Sequence, residues 1–216
     1  SKNGGSWTFG ALTSTTALGN LAGANSYIVG ALGTSTTYAG NITSSAGTGL
    51  TKNGTGTLTL TGTGNTYTGL TVINAGGVQI GDGGAASFGA GAITNNGSLA
   101  FNSSSDLART TGISGTGVLT KAGTGKLTLT GTNTYTGATT ISGGALRAID
   151  GMGLSTSSAL ALNGGVLEAS GIFTRTLGTG AGEVQLSGGN SGFAAANADR
   201  LVVTLGGGGL VWGGAT

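Results

Sequence analysis

Few side chains in this chain could do chemistry. The acids are Asp82, Asp106, Asp150, Glu168, Glu183 and Asp199. Paired carboxylates are what a glycan-cleaving site needs, one as acid and one as base or nucleophile. Asp150 and Glu168 stand about 18 residues apart, with Arg147 close to Asp150. In a stacked array they would lie on one side, and the plainer reading is a solvated pair. There is no His and no Cys, so an imidazole base, a thiolate ligand and a Ser-His or Cys-His pair are all missing. Gly81-Asp82-Gly83-Gly84 has the look of one calcium-roll unit, but that roll needs tandem copies. The GTG and GGGG segments lack the GK[ST] of a phosphate loop. No catalytic, cofactor-binding or metal residue is assigned, no cofactor is expected, and the chain is not read as an enzyme. Tyr67 and Tyr135 occupy matching places in NTYTG. Exposed, they would stack on a sugar or a neighbouring molecule; buried, they would pack a corner. Trp7, Phe9, Leu210 and Trp212 lie near the two ends and are the candidates for contact between subunits.

The elements that must position these residues are strands. Gly supplies 49 of 216 residues and charged residues only 6%, with no Pro. That excludes collagen, which needs Gly at every third place and much Pro. With 37% hydrophobic residues and a net charge of +2, the chain has the apolar content to bury a core, which argues against disorder. The eight basic residues are scattered, so no nucleic-acid partner is expected. No apolar run reaches transmembrane length. Ser1 opens directly into GGSWTFG without a signal peptide, which reads as a mature product or a fragment.

Short alternating pairs recur along the chain: Trp7/Phe9, Tyr27/Val29, Leu58/Leu60, Val78/Ile80, Leu99/Phe101, Leu127/Leu129, Leu146/Ala148, Leu167/Ala169, Val184/Leu186 and Leu201/Val203. Most steps are about 20 residues, and two are longer, about 31 and 28. GLTKNGTGTLTLTGTGNTYTG and VLTKAGTGKLTLTGTNTYTG are near copies, with Lys121 about 69 residues after Lys52. Copies of this kind are assigned to 49–80 and 118–148. The spacing predicts an all-β chain, a right-handed single-stranded parallel β-helix (solenoid) of about ten turns, in which the two long steps are enlarged turns. The rival is a β-sandwich or barrel of short strands. Residues 1–216 read as one solenoid, a fragment or subunit of a longer array. Neither end resembles the polar cap of a finished solenoid. The Thr of TLTLT invites comparison with an ice-binding face, but Gln79 and Ala100 stand at equivalent places in the turns between.

The two copies resemble the autotransporter-associated β-strand repeat, also called the passenger-associated transport repeat. Its pattern is close to L-T-K-x-G-x-G-T-L-T-L-T-G-x-N-T-Y-T-G. The copy at Leu119–Leu146 carries Lys126 where Thr is usual, and the copy at Leu50–Val78 has one extra residue near Gly64. Leu162–Gly214 looks like a segment that often accompanies such repeats. The resemblance implies a β-helix on, or released from, a bacterial outer surface, with no catalytic residues to carry over. The function expected is a structural extracellular segment of a surface protein or fibre that associates with itself along the solenoid axis. An adhesin module binding a glycan or host surface is the alternative, and a β-helical polysaccharide-degrading enzyme is the third reading.

Overall fold

A computed structural model describes residues 5–16, 19–43, 47–197, 199–206 and 208–212, the last segment by its backbone. Among them every regular element is a strand. Three strands make a turn. Ile93–Asn95, Ser98–Asn102 and Leu107–Arg109 are followed by Ile113–Ser114, Val118–Ala122 and Lys126–Leu129, each set stacked on the last. Three parallel sheets result, of six, eight and five strands, here called first, second and third. Through most of the rod partners on adjacent turns are about 19 to 23 residues apart, as in Val29 with Lys52, Lys52 with Ile73 and Ile93 with Ile113, and the last turns are longer, as in Leu160 with Val184 and Gly171 with Leu201.

Alternation within each strand puts one set of side chains inside. On the second sheet the inner file runs Tyr38, Leu60, Ile80, Phe101, and on the third Leu107, Leu127, Leu146, Leu167, Phe193. Most of these side chains are fully buried, so the core is a column of apolar rungs rather than one central cluster.

The solenoid stands, with about eight turns rather than ten. The second sheet, the longest, has eight strands. The difference lies at the ends. Trp7/Phe9 belong to a turn that reaches the second sheet only through the single bridge of Ser14 to Tyr38, and Leu201/Val203 belong to a final turn that adds no strand to it. The two long steps are not enlarged turns either. Tyr27/Val29 lie on the first sheet and Leu58/Leu60 on the second; Leu99/Phe101 lie on the second and Leu127/Leu129 on the third. Each long step is therefore one turn plus one face.

The repeat copies follow the same rule. Gly49–Lys52 and Thr57–Leu60 occupy the first and second sheets, whereas Val118–Ala122 and Lys126–Leu129 occupy the second and third. The copies are related by three turns and one face.

At the C-terminal end, Leu201–Leu205 pairs in parallel with Gly171–Arg175 and antiparallel with Gly208–Trp212. Gly208–Trp212 is thereby the outermost strand of its sheet, and this end folds back on itself in one hairpin. The remaining last strands, Val184–Gly188 and Gly192–Ala195, are the outermost members of their sheets.

Candidate functional site

The repeat builds a tier of buried polar groups. In L-T-K the alternation that turns Leu50 inward also turns Lys52 inward, and Leu119 does the same for Lys121. Lys52 sits in file between Val29 and Ile73, and Lys121 between Phe101 and Ile141. Neither has a carboxylate in contact; backbone carbonyls hold both. Lys121 Nζ donates to the carbonyls of Ala122 at 2.5 Å, Gly123 at 3.0 Å and Gly143 at 3.0 Å. Lys52 Nζ donates to Asn53 at 2.5 Å, Gly54 at 2.9 Å and Ala75 at 3.5 Å. Gly54 and Gly123 have φ of 69° and 68°, a left-handed conformation that suits glycine and turns the carbonyl back toward the ammonium. Burial lowers both lysines, Lys121 to about 8 against a small opposing pull from Asp106, and Lys52 in the same direction.

The NTY segment fills the corner that follows. Asn133 Oδ1 accepts from the Ile113 amide at 2.7 Å, and its Nδ2 donates to the Gly153 carbonyl at 2.6 Å, so one side chain joins three turns. Asn65 accepts likewise from Ile42 at 2.7 Å and donates to Ser87 at 3.0 Å. Tyr67 and Tyr135 are 0% exposed. Their hydroxyls bond Thr71 Oγ1 at 3.1 Å and Thr139 Oγ1 at 2.8 Å. Burial raises both phenols, and the threonine bonds and nearby arginines pull the other way. They pack corners and offer no ring face to a ligand.

Two turns beyond each tyrosine a buried arginine closes the corner. Arg109 lies over the Phe88 ring at 5.1 Å and donates to the Gly89 carbonyl at 2.7 Å, to Gly91 and to Thr111 Oγ1 at 2.9 Å. Its Nε has no partner. Arg175 lies over Phe173 at 5.6 Å and donates to Ser158 at 2.5 Å, Ser155 at 2.9 Å and Asp150 at 2.6 Å. Sequence reasoning passed over these residues. The signal is R-T-x-G, present at Arg109–Gly112 and again at Arg175–Gly178.

The acids go to separate partners. Asp150 pairs with Arg175, while Glu168 pairs with Arg147 at 2.9 Å. Glu183 accepts from the Gly180 amide at 2.7 Å, and Asp106 from the Lys126 amide at 2.8 Å. Asp82 accepts from the Gly84 amide at 3.3 Å. These are turn fasteners and ion pairs, and among the described residues no group of three acids could hold a metal.

Two surface hollows stand out among the described residues. At the end of the third sheet lie three small residues, Ala148, Ala169 and Ala196. These small residues leave a groove of about 180 Å³ over Leu129, rimmed by Arg147, Glu168, Asn197 and Asp199. Near the N-terminal end, Trp7, Phe9, Leu21, Asn25 and Tyr27 line an open hollow of about 250 Å³. Trp7 is 48% exposed and Phe9 partly buried. The backbone of Leu210 and Trp212 lies in the strand Gly208–Trp212, and their side chains lie outside the described residues.

Parallel turns, inner files and buried polar corners define a β-solenoid whose repeated residues serve the fold. The sequence profile of the passenger-associated-transport-repeat family matches residues 50–80 and 119–148. The chain thus carries two such repeats, one for each tier of Lys, Asn and Tyr just described. No curated protein and no solved structure matches the chain. No helix among the described residues is long and apolar enough to cross a membrane.

Proposed function

We propose that this chain is a structural segment of an exported, autotransporter-type passenger, a β-helical rod borne on or shed from a bacterial outer surface. The observation that carries the reading is that both matched repeats spend their distinctive residues inside the rod. Lys52, Lys121, Asn65, Asn133, Tyr67 and Tyr135 are all buried. A repeat selected for ligand binding would turn such groups outward. Continuous backbone pairing along the axis resists unfolding, and the lack of Cys makes the rod indifferent to redox conditions. Axial contact between copies belongs to this reading at the N-terminal end, where Trp7 is exposed. At the opposite end the outermost strands are Val184–Gly188, Gly192–Ala195 and Gly208–Trp212. Protease treatment of intact cells tests the location. Cleavage of the chain without lysis is expected; a chain protected until the cells are broken would overturn the proposal.

The adhesin reading has one observation in its favour, the groove at Arg147, Glu168 and Asp199. A glycan array would support it only if binding is lost in Arg147→Ala while the fold persists.

A further inference from the structure

The geometry points to a carboxylate-binding site on the Nε edge of Arg109, the edge that Asp150 occupies on Arg175. The inference goes beyond the structural reading above and does not depend on it. The chain builds this corner twice. In each copy an arginine ends a strand and lies over a phenylalanine ring, Phe88 for Arg109 and Phe173 for Arg175. Each Nη1 donates to a backbone carbonyl, Gly89 at 2.7 Å and Ser158 at 2.5 Å. Each Nη2 donates to a second carbonyl, Gly91 and Ser155. The difference lies on the remaining edge. Arg175 offers Nε and Nη2 as a fork, and the Asp150 carboxylate takes both, at 3.4 and 2.6 Å. On Arg109 the Thr111 hydroxyl bonds Nη2 at 2.9 Å, and Nε has no partner. Arg109 is 5% exposed, and among the described residues no carboxylate pairs with it. A buried guanidinium without a counter-charge and with an idle donor is costly, and one carboxylate on that edge corrects both.

The chain also holds the counterpart acid. Asp82 stands as far after Tyr67 as Asp150 stands after Tyr135. Each is followed by a glycine of positive φ, Gly83 at 106° and Gly151 at 83°. Asp150 lies on its arginine, whereas Asp82 is exposed and accepts from the Gly84 amide at 3.3 Å. Backbone bonds hold that turn in place: the Gly83 amide donates to Asn102 at 2.9 Å, and the Ser104 amide to Gly84 at 3.0 Å. The carboxylate on Arg109 thus has two sources, Asp82 swinging in or a small carboxylate from solution. Entry is open to either. Leu107–Arg109 is the outermost strand of the third sheet, and residues 81–92 cross that face beside it without a strand. The carbonyls of Gly89 and Gly91 that hold Arg109 belong to this loop, which parts more readily than a paired strand. One charge pair set against that opening gives weak binding from solution, with a Kd on the order of 10 mM.

Urea unfolding and the arginine Nε–H resonances of the 216-residue chain test this, followed through rising sodium acetate with ionic strength held by sodium fluoride. If the ligand comes from solution, acetate at about 100 mM is expected to raise the folding constant of the wild type about tenfold. The Nε–H signal of Arg109 then shifts with acetate, that of Arg175 stays in place because its edge is taken, and Asp82→Asn responds as the wild type does. If Asp82 is the ligand, the wild type does not respond, while Asp82→Asn loses stability and gains both responses. Arg109→Lys keeps a charge but has no Nε edge, and it is expected to remove the response. Where that variant does not fold, the resonance shift alone locates the ligand. An acetate response in neither the wild type nor Asp82→Asn overturns the proposal, whatever Asp82→Asn does to stability. So does a response that persists in Arg109→Lys, or one confined to the exposed Arg200, which marks adventitious binding at the surface. None of these results touches the passenger reading, which the cell-surface experiment decides.

Discussion

At the scale of single residues, the buried lysines contribute most to the behaviour of this rod. Lys121 is 2% exposed and is held by three carbonyls. Lys121→Met fits the apolar file but leaves those carbonyls unpaired, and the variant is expected to lose about 2 kcal/mol, read from urea unfolding. The same lysine sets a pH response. Folded, it gives up its proton near 8; unfolded, near 10.4. Between those values the unfolded chain binds more protons, so stability rises with pH across that window. Above about 10 the sign reverses, because Tyr38, Tyr67 and Tyr135 hold their protons longer when folded than when unfolded. Melting temperature is expected to climb from about pH 8 toward 10 and then to fall, and in Lys121→Met the climb should be much reduced. A flat profile in the wild type would contradict the burial of the ammonium. The sequence held this signal in plain form, since alternation from Leu50 or Leu119 puts the lysine inside. A cation in an apolar file runs against composition-based expectation, and only the carbonyls of the following turns make it stable.

At the scale of elements, the corners decide where a turn ends. Where the first sheet has no strand after Ile113–Ser114, the side chain of Asn133 supplies the pairing to the turns before and after it. Asn133→Ala removes both bonds from a buried site and is expected to cost about 2 to 3 kcal/mol, more than an exposed Asn such as Asn74. Equal losses at the two positions would argue against the bridge. The strands were legible because L-x-L pairs and a spacing of about 20 residues are written in the chain itself. The face of each pair was not legible. All three sheets use the same alternation, so a change of face looks in the sequence like a longer turn. That is why the steps at Leu58 and Leu127 read as enlargements. The antiparallel strand Gly208–Trp212 was hidden for a related reason, because its glycine-rich approach carries no direction.

At the scale of the whole molecule, the claim is one continuous ladder in which the two repeats sit three turns and one face apart. Its candidate sites came out unevenly. The scarcity of acids and the missing His and Cys were plain in the composition, and the separate partners of Asp150, Glu168 and Glu183 agree with it. The inward turn of Tyr67 and Tyr135 is one of two readings that the repeated NTYTG leaves open, and the arginines that close their corners carry only the short R-T-x-G as a local signal, since their partners lie on other turns. Spin labels at Thr37 and Gln185 test the ladder most directly, since both are exposed and stand at opposite ends of one file of the second sheet. A pulsed dipolar measurement is expected to give one narrow distance near 34 Å between backbone positions, seven strand spacings of about 4.8 Å. A broad distribution, or a distance near half that value as in a folded-over sandwich, would contradict the account.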